Sequence, residues 1–340
     1  MRIMVIGGNG FVGRPLSRLL AGRHEVCVLD ALRYGSLRFS GDDLSRLRVI
    51  AGDITDPAEV EAAFAAFRPE AVIHLAAIHY IPECESDPGL AAQVNVTGTV
   101  NLLAACPPGC RFVFASSGAV YSADTRPHDE EDSALGPSDI YGFTKLHGEH
   151  YVRHMARQRG LAAVVVRLFN VIGPGETNPH LLPEIVAQLK AGHTRISLGN
   201  LTPRRDYVHV DDAARGFMAA ALAGEVPVGT CATVNLGTSR AYSVEEILQR
   251  LRRIARRDFT VEADPGRIRA VDRPVLAAGI GRMRDRFGWQ PEIAIDEALA
   301  DLWAHPDLSA HLTRKYQLAP PLPVAPPSRA AAPAGLAAAS

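Results

Sequence analysis

Three things are scarce in this chain of 340 residues, and each scarcity removes a class of function. The first is charge of one sign. Lys and Arg number 36 against 37 Asp and Glu, leaving a formal charge of −1, so no overall field draws the protein to nucleic acid or an anionic membrane. The partner expected is a small molecule. The second is a cysteine framework: Cys27, Cys84, Cys106, Cys110 and Cys231 are an odd, scattered set, which points to a reducing, cytoplasmic setting. "CPPGC" (106–110) lacks CxxC spacing and a second pair, and reads as a loop between a helix and a strand. The third is a long apolar run. None approaches the ~20 residues a membrane helix needs, and "LAAVVVRLF" (161–169) reads as a buried strand. The opening "MRIMVIGG" is expected to be the first strand, not a leader. Repeats at solenoid periods and an HExxH motif are also missing; the helically spaced His147, His150 and His154 read as a partly exposed helix face, and no metal site is expected.

What is present is a rhythm. Short apolar runs, "RIMVIG" (2–7), "EVCVLD" (25–30), "LRVIAGD" (47–53), "AVIHLAA" (71–77), "RFVFASS" (111–117) and "AAVVVRLFN" (162–170), alternate with longer amphipathic stretches. Continuous apolar strands separated by helices predict an α/β fold, a doubly wound parallel sheet of Rossmann type, with ligands at the carboxyl ends of the strands. Beyond Gly173 the rhythm loosens, which predicts a smaller C-terminal α/β substrate lobe. The expected division is a cofactor domain over 1–173, rejoined by about 206–237, a substrate lobe from 174–205 and 238–316, and a disordered Pro/Ala-rich tail over 317–340. "SVEEILQRLRRIAR" carries a capping-box spacing between Ser243 and Glu246.

"IGGNGFVG" sets Gly7, Gly10 and Gly13 directly after the first strand and at the mouth of a helix, with Phe11 and Val12 between them. Glycines there let the backbone approach a pyrophosphate, whose charge meets the helix's free N–H groups. Asp30 closes the second strand, where a carboxylate accepts from a ribose 2′-hydroxyl, which favours NAD over NADP. Arg33 pulls the other way, since a nearby arginine can pair with a 2′-phosphate. Asp53, followed by Ile54, could reach an adenine ring or could simply form a turn. Leu75, Ala76 and Ala77 end the fourth strand with residues small enough for a cofactor to lie close.

In "YGFTK", Tyr141 and Lys145 stand four apart in a helical stretch and share one face. A cation beside a phenol favours its ionised form, making a usable acid/base; the bland alternative is a half-buried tyrosine with a snorkelling lysine. The glycine spacing, "HLAA", "FASSGAVY" and Y-x-x-x-K, in this order, resemble the extended short-chain dehydrogenase/reductase family, with its nucleotide-sugar epimerases and dehydratases as the nearest group. Further matches are "NVTGTVNLL" (95–103), "RLFNVIGPG" (167–175), "RRDYVHVDD" (204–212) and "FGWQPEI" (287–293).

The resemblance implies a catalytic set of Ser117, Tyr141 and Lys145, with Lys145 also bonding the nicotinamide ribose and Ser117, in preference to Ser116, holding the reacting sugar oxygen. It implies a nucleoside-diphosphate sugar as substrate and a homodimer formed through the Tyr141 helix. Asn170 would bind a phosphate or the sugar and Arg205 the diphosphate, while His180 stands where the family pattern carries Asn or Lys. Arg269 or Arg273 could add a second clamp or could belong to a solvated face. His79, Tyr80 or Glu83 could touch the sugar or lie in a solvated loop. Family dehydratases carry an Asp-Glu pair after the active serine or threonine, whereas Gly118 and Ala119 stand here. The expected activity is therefore an NAD-dependent 4-epimerase acting through a 4-keto sugar. A 4-ketoreductase or 4,6-dehydratase is the alternative within the family, and a non-catalytic NAD-binding sensor the alternative outside it.

Overall fold

A computed structural model describes residues 1–318 except 34, 177, 265 and 267–272. Most of the expected tail, from residue 319 onward, thus lies outside the described residues. The first half runs β1 (Arg2–Ile6), α1 (Gly13–Ala21), β2 (Glu25–Asp30), α2 (Gly41–Leu44), β3 (Leu47–Ala51), α3 (Pro57–Phe67), β4 (Ala71–His74), α4 (Ile81–Ser86), α5 (Pro88–Ala92), α6 (Gly98–Ala105), β5 (Arg111–Ser117), α7 (Ile140–Arg159) and β6 (Ala162–Leu168). It continues through β7 (Asn170–Ile172), α8 (Leu181–Lys190), β8 (Arg195–Leu198), β9 (Arg204–His209), α9 (Val210–Leu222) and β10 (Thr230–Leu236). The chain then forms β11 (Ala241–Ser243), α10 (Val244–Ala255), β12 (Thr260–Ala263), β13 (Val275–Leu276), α11 (Gly281–Phe287), α12 (Ile295–Ala304) and α13 (Ala310–Lys315).

Seven parallel strands in the order β10-β6-β5-β4-β1-β2-β3 make the large sheet. The expected doubly wound α/β fold is what the chain adopts. The apolar runs are strands because both faces are covered. Leu16, Leu20, Ala213 and Phe217 from α1 and α9 pack on one face, while Val60, Phe64, Leu102, Leu103 and Val152 from α3, α6 and α7 pack on the other. The order reverses between β1 and β4, and that switch point opens the crevice where ligands bind in such sheets.

Local signals set the helix bounds. Asp139 caps α7 by accepting from the Gly142 N–H at 2.7 Å, and Gly160 ends the helix in the left-handed region. Ser243 and Glu246 form the reciprocal capping box at the start of α10. The segment 106–110 lies between α6 and β5, as its spacing suggested.

One strand differs from the sequence reading. The run 162–170 breaks at Phe169, whose buried ring packs with Val120, Tyr121 and Leu276, and Asn170 opens β7 in a different sheet. That second sheet pairs β9 with β7, β11 and β13. Around it α8, α10 and α12 enclose a separate apolar core that includes Leu182, Ile185, Ile247, Leu248, Leu251 and Leu299. Asp206 joins the layers: its buried carboxylate accepts from the backbone N–H groups of Thr238 (2.8 Å), Ser239 (2.9 Å) and Ala278 (3.1 Å), which satisfies a group too costly to bury alone.

Candidate active site

A cleft of about 1200 Å³ runs from the carboxyl ends of the large sheet to the second lobe. It is larger than the ~300–1,000 Å³ of an ordinary small-ligand pocket. Every residue given a catalytic, cofactor or diphosphate role from the sequence lines it, apart from Arg269, which lies outside the described residues.

The glycine loop crosses the switch point. Gly7 has φ +78°, and a Cβ on it would lie 2.6 Å from the Ala76 nitrogen, so strand β4 and the loop meet only because a side chain is missing. A Cβ on Gly13 would lie 2.3 Å from the Gly7 carbonyl oxygen. Gly10, Phe11 and Val12 complete the turn into α1, whose first N–H groups face the cleft end of the sheet. Leu75 and Ala76 donate their N–H groups to the Ile6 carbonyl at 2.9 and 3.0 Å, which fixes the opposite rim, and Ala77 follows. His74 is a core residue: it is buried and bonded to Thr99 Oγ1 at 3.0 Å, and burial holds its pKa well below the usual imidazole value.

Asp30 accepts from the N–H groups of Asn9 (2.9 Å) and Leu32 (2.8 Å), one on each oxygen, and each oxygen keeps acceptor capacity for a diol. Arg33 is engaged by Glu83 at 2.6 Å, so a carboxylate already meets the charge that could have faced a 2′-phosphate. Asp53 forms the turn, accepting from the Thr55 N–H at 2.8 Å, and also lines the cleft beside buried Ile54. The turn is the reading of Asp53 that its hydrogen bond shows.

The chemical groups sit where β5 and α7 meet. Ser117 ends β5 with its Oγ accepting from the Ala119 N–H at 3.1 Å. The Tyr141 phenol is held above its ordinary pKa, chiefly by burial, while the Ser117 hydroxyl beside it pulls the other way. Lys145 does not snorkel. It is 3% exposed, donates from Nζ to the Ala115 carbonyl at 2.8 Å, and lies 5.8 Å from the centre of the Tyr141 ring. Burial pulls its pKa down to about 8. The sequence reading credited Lys145 and an oxidised nicotinamide together with making the phenol acidic; in the cofactor-free protein burial is the largest influence on it.

Ser116 faces the other way, its Oγ donating to Glu149 Oε1 at 2.6 Å. Glu149 is fully buried and takes Arg167 on both oxygens, at 2.9 and 2.8 Å. Those guanidinium contacts hold the carboxyl below its usual range although burial, the larger single influence, opposes them.

On the far wall, Asn170 is exposed to the cleft and His180 begins α8 without capping it. His79 is brought to within 5.5 Å of His180, ring centre to ring centre, and Tyr80 meets His180 edge-on at the same separation. Arg205 Nη1 donates to the carbonyls of Arg204 (3.0 Å) and Arg273 (2.8 Å). Arg273 reaches back to the Ala119 carbonyl at 2.9 Å and stands 3.7 Å from Asp139, the cap of α7. It is thus part of the cleft wall, not of a solvated face.

Residues 3–237 match the model of the NAD-dependent epimerase/dehydratase family. The chain belongs to that family. One relative is the UDP-glucose 4-epimerase of Mycolicibacterium smegmatis, 33% identical over 310 residues that cover 88% of this chain and 96% of that one. Another is the GDP-6-deoxy-D-mannose reductase of Pseudomonas aeruginosa, 29% identical over 308 residues, covering 88% and 94%. Among solved structures, the Thermus thermophilus UDP-glucose 4-epimerase in complex with NAD aligns with a TM-score of 0.78 at 28% identity, covering 90% of this chain and 98% of that one. The Brucella ovis UDP-glucose 4-epimerase in complex with NAD aligns at 0.80 and 30% identity, with the same coverage.

NAD is the cofactor of this family, and the residues present fit it. The side-chain-free cradle at Gly7 and Gly13 ends at a helix N-terminus, and Asp30 closes the neighbouring strand.

Sequence reasoning gave no role to Asn95, although it opens one of the matching motifs. Buried in a π-helical turn over 93–97, Asn95 accepts from the Ile78 N–H at 2.8 Å and donates to the Ile78 carbonyl (2.9 Å) and Thr144 Oγ1 (3.0 Å). It ties the loop after β4 to the helix that carries Tyr141 and Lys145. Its signal was weak, one amide among Gln93, Asn95 and Asn101 in a single helical stretch. Glu176 was missed as well, being one acid in a polar loop.

Proposed function

We propose that this protein is a nucleotide-sugar 4-epimerase that works through a transient 4-keto sugar. The observation that carries this reading is the placement of the Tyr141 phenol, with Ser117 beside it, on the cleft that joins the glycine cradle to Arg205. Bound NAD supplies the hydride acceptor and, when oxidised, a positive charge near the phenol. Tyr141 takes the proton from the C4 hydroxyl and returns it at the end, serving as base once that charge offsets the burial that raises its pKa. Ser117 holds the same sugar oxygen. Lys145, anchored on Ala115, keeps its ammonium in the proton path and bonds the nicotinamide ribose.

Gly10, Phe11, Val12 and Gly13 line the pyrophosphate, Asp30 the adenosine ribose, and Asp53 with Ile54 the adenine. Arg205 takes the diphosphate of the substrate in a bidentate grip, and Asn170 and His180 approach the sugar or its phosphates. Turning of the ketone before reduction at its other face inverts C4. The relatives that act on UDP-glucose support a UDP-sugar.

The division into a cofactor domain (1–173 with 206–237) and a substrate lobe (174–205 with 238–316) belongs to the same reading. So does a homodimer through α7, where Phe143 and Tyr151 are 46% and 44% exposed. The five free cysteines support a reducing, cytoplasmic setting. No described helix is long and apolar enough to cross a membrane.

A second reading, a 4-ketoreductase, is favoured by the GDP-6-deoxy-D-mannose reductase relative, since the same three residues serve reduction. Dehydration is disfavoured: Gly118 and Ala119 are buried beside Phe169 and bring no acid to the cleft. Two measurements separate the readings. Denaturing the purified protein should release tightly held NAD, and incubation with UDP-, GDP-, CDP- and dTDP-sugars should give C4-inverted products without added cofactor. Exchangeable cofactor and net consumption of reduced nicotinamide would replace the epimerase with the reductase.

A further inference from the structure

Three ligand-type side chains converge on the substrate wall, apart from the Ser117, Tyr141 and Lys145 set. His79 comes from the loop after β4, and Glu176 and His180 come from the segment between β7 and α8. One donor atom from each lies within 4.8 Å of the other two, and His79 Nε2 stands 3.8 Å from Glu176 Oε1. In a tetrahedral site built at about 2.1 Å, ligand atoms stand roughly 3.4 Å apart, so small side-chain rotations close this cluster on an ion. Asn178, 3.1 Å from His79 Nε2, is placed to steady the ring or to yield that nitrogen to the ion. The Glu176 side chain is 10% exposed and that of His79 34%, so the carboxylate is sheltered while the cluster stays open on the cleft side.

We propose that His79, Glu176 and His180 bind one divalent transition-metal ion on the substrate wall of the cleft, Zn²⁺ being the ion their donor set fits. Two imidazoles and one carboxylate are borderline-soft N/O ligands of the kind that select zinc over the all-oxygen cages of Mg²⁺ and Ca²⁺. Three protein ligands leave a coordination position toward the cleft. The ion joins two segments of that wall that the chain itself separates by about a hundred positions, and fixes the approach to α8. The sequence pointed away from this site because its ligands come from two distant segments and carry no local spacing.

The test uses the full chain and Zn²⁺ alone, so its outcome is independent of any sugar activity. After chelator treatment and dialysis, calorimetric titration should show one equivalent of Zn²⁺ per chain. In the His79→Ala/His180→Ala double variant the affinity should fall at least ~100-fold while NAD binding shows that the fold persists. Zn²⁺ binding no tighter in the unaltered chain than in the double variant overturns the proposal. A second measurement needs no variant: Zn²⁺ should protect His79 and His180 from acylation by diethyl pyrocarbonate while the α7 histidines His147, His150 and His154 stay reactive. Equal acylation of His79 and His180 with and without Zn²⁺, or protection confined to the α7 histidines, overturns it as well.

Discussion

The two sides of the cleft are built from different material. On the cofactor side the walls are backbone and small residues: Gly7 against Ala76, Gly13 against Gly7, and N–H groups fixed on Asp30. On the opposite side the walls are long or ionisable side chains, Arg205, Arg273, His79, Glu176 and His180, delivered by segments far apart in the chain. A backbone cradle admits one ligand shape and tolerates little change. A side-chain wall can be altered one residue at a time, and the relatives of this chain include both epimerases and a reductase. Tyr141 and Lys145 sit on the seam.

The comparison can be broken most directly at the seam. Tyr141→Phe should lower kcat by about 10³-fold, the range of a lost acid/base, while NAD stays bound. Substantial residual turnover would remove Tyr141 from its role. Lys145 offers a pH test of the cofactor-free protein. Its folded pKa of about 8 lies below the ordinary value of 10.5, so between those values the unfolded chain binds more protons and stability rises with pH. The contribution is fully present above the unfolded value and is lost as pH falls through the folded one. Lys145→Met should flatten the pH 8 to 10 limb of a denaturation series by up to about 3 kcal/mol relative to the parent chain. An unchanged slope would place the ammonium in water.

Away from the seam the two sides should respond differently. Gly13→Ala forces a Cβ against the Gly7 carbonyl, costs roughly 1–3 kcal/mol of overpacking, and should weaken NAD by about 10- to 100-fold in fluorescence titration. Arg205→Ala should leave NAD retention intact and raise KM for the sugar nucleotide by about 30-fold, the loss of roughly 2 kcal/mol of charge-assisted hydrogen bonding. If Arg205→Ala instead released NAD, the division of labour would fail. The smallest effect expected is in Glu83→Gln, which takes the ion-pair partner from Arg33 and should narrow the preference for NAD over NADP by a few-fold, on the order of the 0–1 kcal/mol of an exposed pair.

The same asymmetry decided what could be seen in the sequence. The large sheet was legible because strands buried on both faces leave continuous apolar runs, and the cradle because its glycines are closely spaced. Tyr141 and Lys145 were legible because four residues is one helical turn. The break at Phe169 was not, since an apolar residue continues the pattern it interrupts. Nor was the pairing of Arg33 with Glu83, fifty residues apart, or the meeting of His79 with Glu176 and His180. Such contacts are set by how loops return over a finished sheet, and no local period encodes them. The burial of Tyr141 was not legible either, because depth is a property of the packed fold.

Ser116 and Ser117 are adjacent and alike, yet Ser116 is locked to buried Glu149 while Ser117 accepts from the Ala119 N–H at the end of β5. Adjacent side chains on a strand point to opposite faces, so deleting or inserting a single residue in β5 would exchange them. The hydroxyl now bonded to Glu149 would move toward the cleft, and the other would sink onto a buried carboxylate. A change in the length of β5 would thus undo both placements at once, whereas a substitution touches one serine at a time.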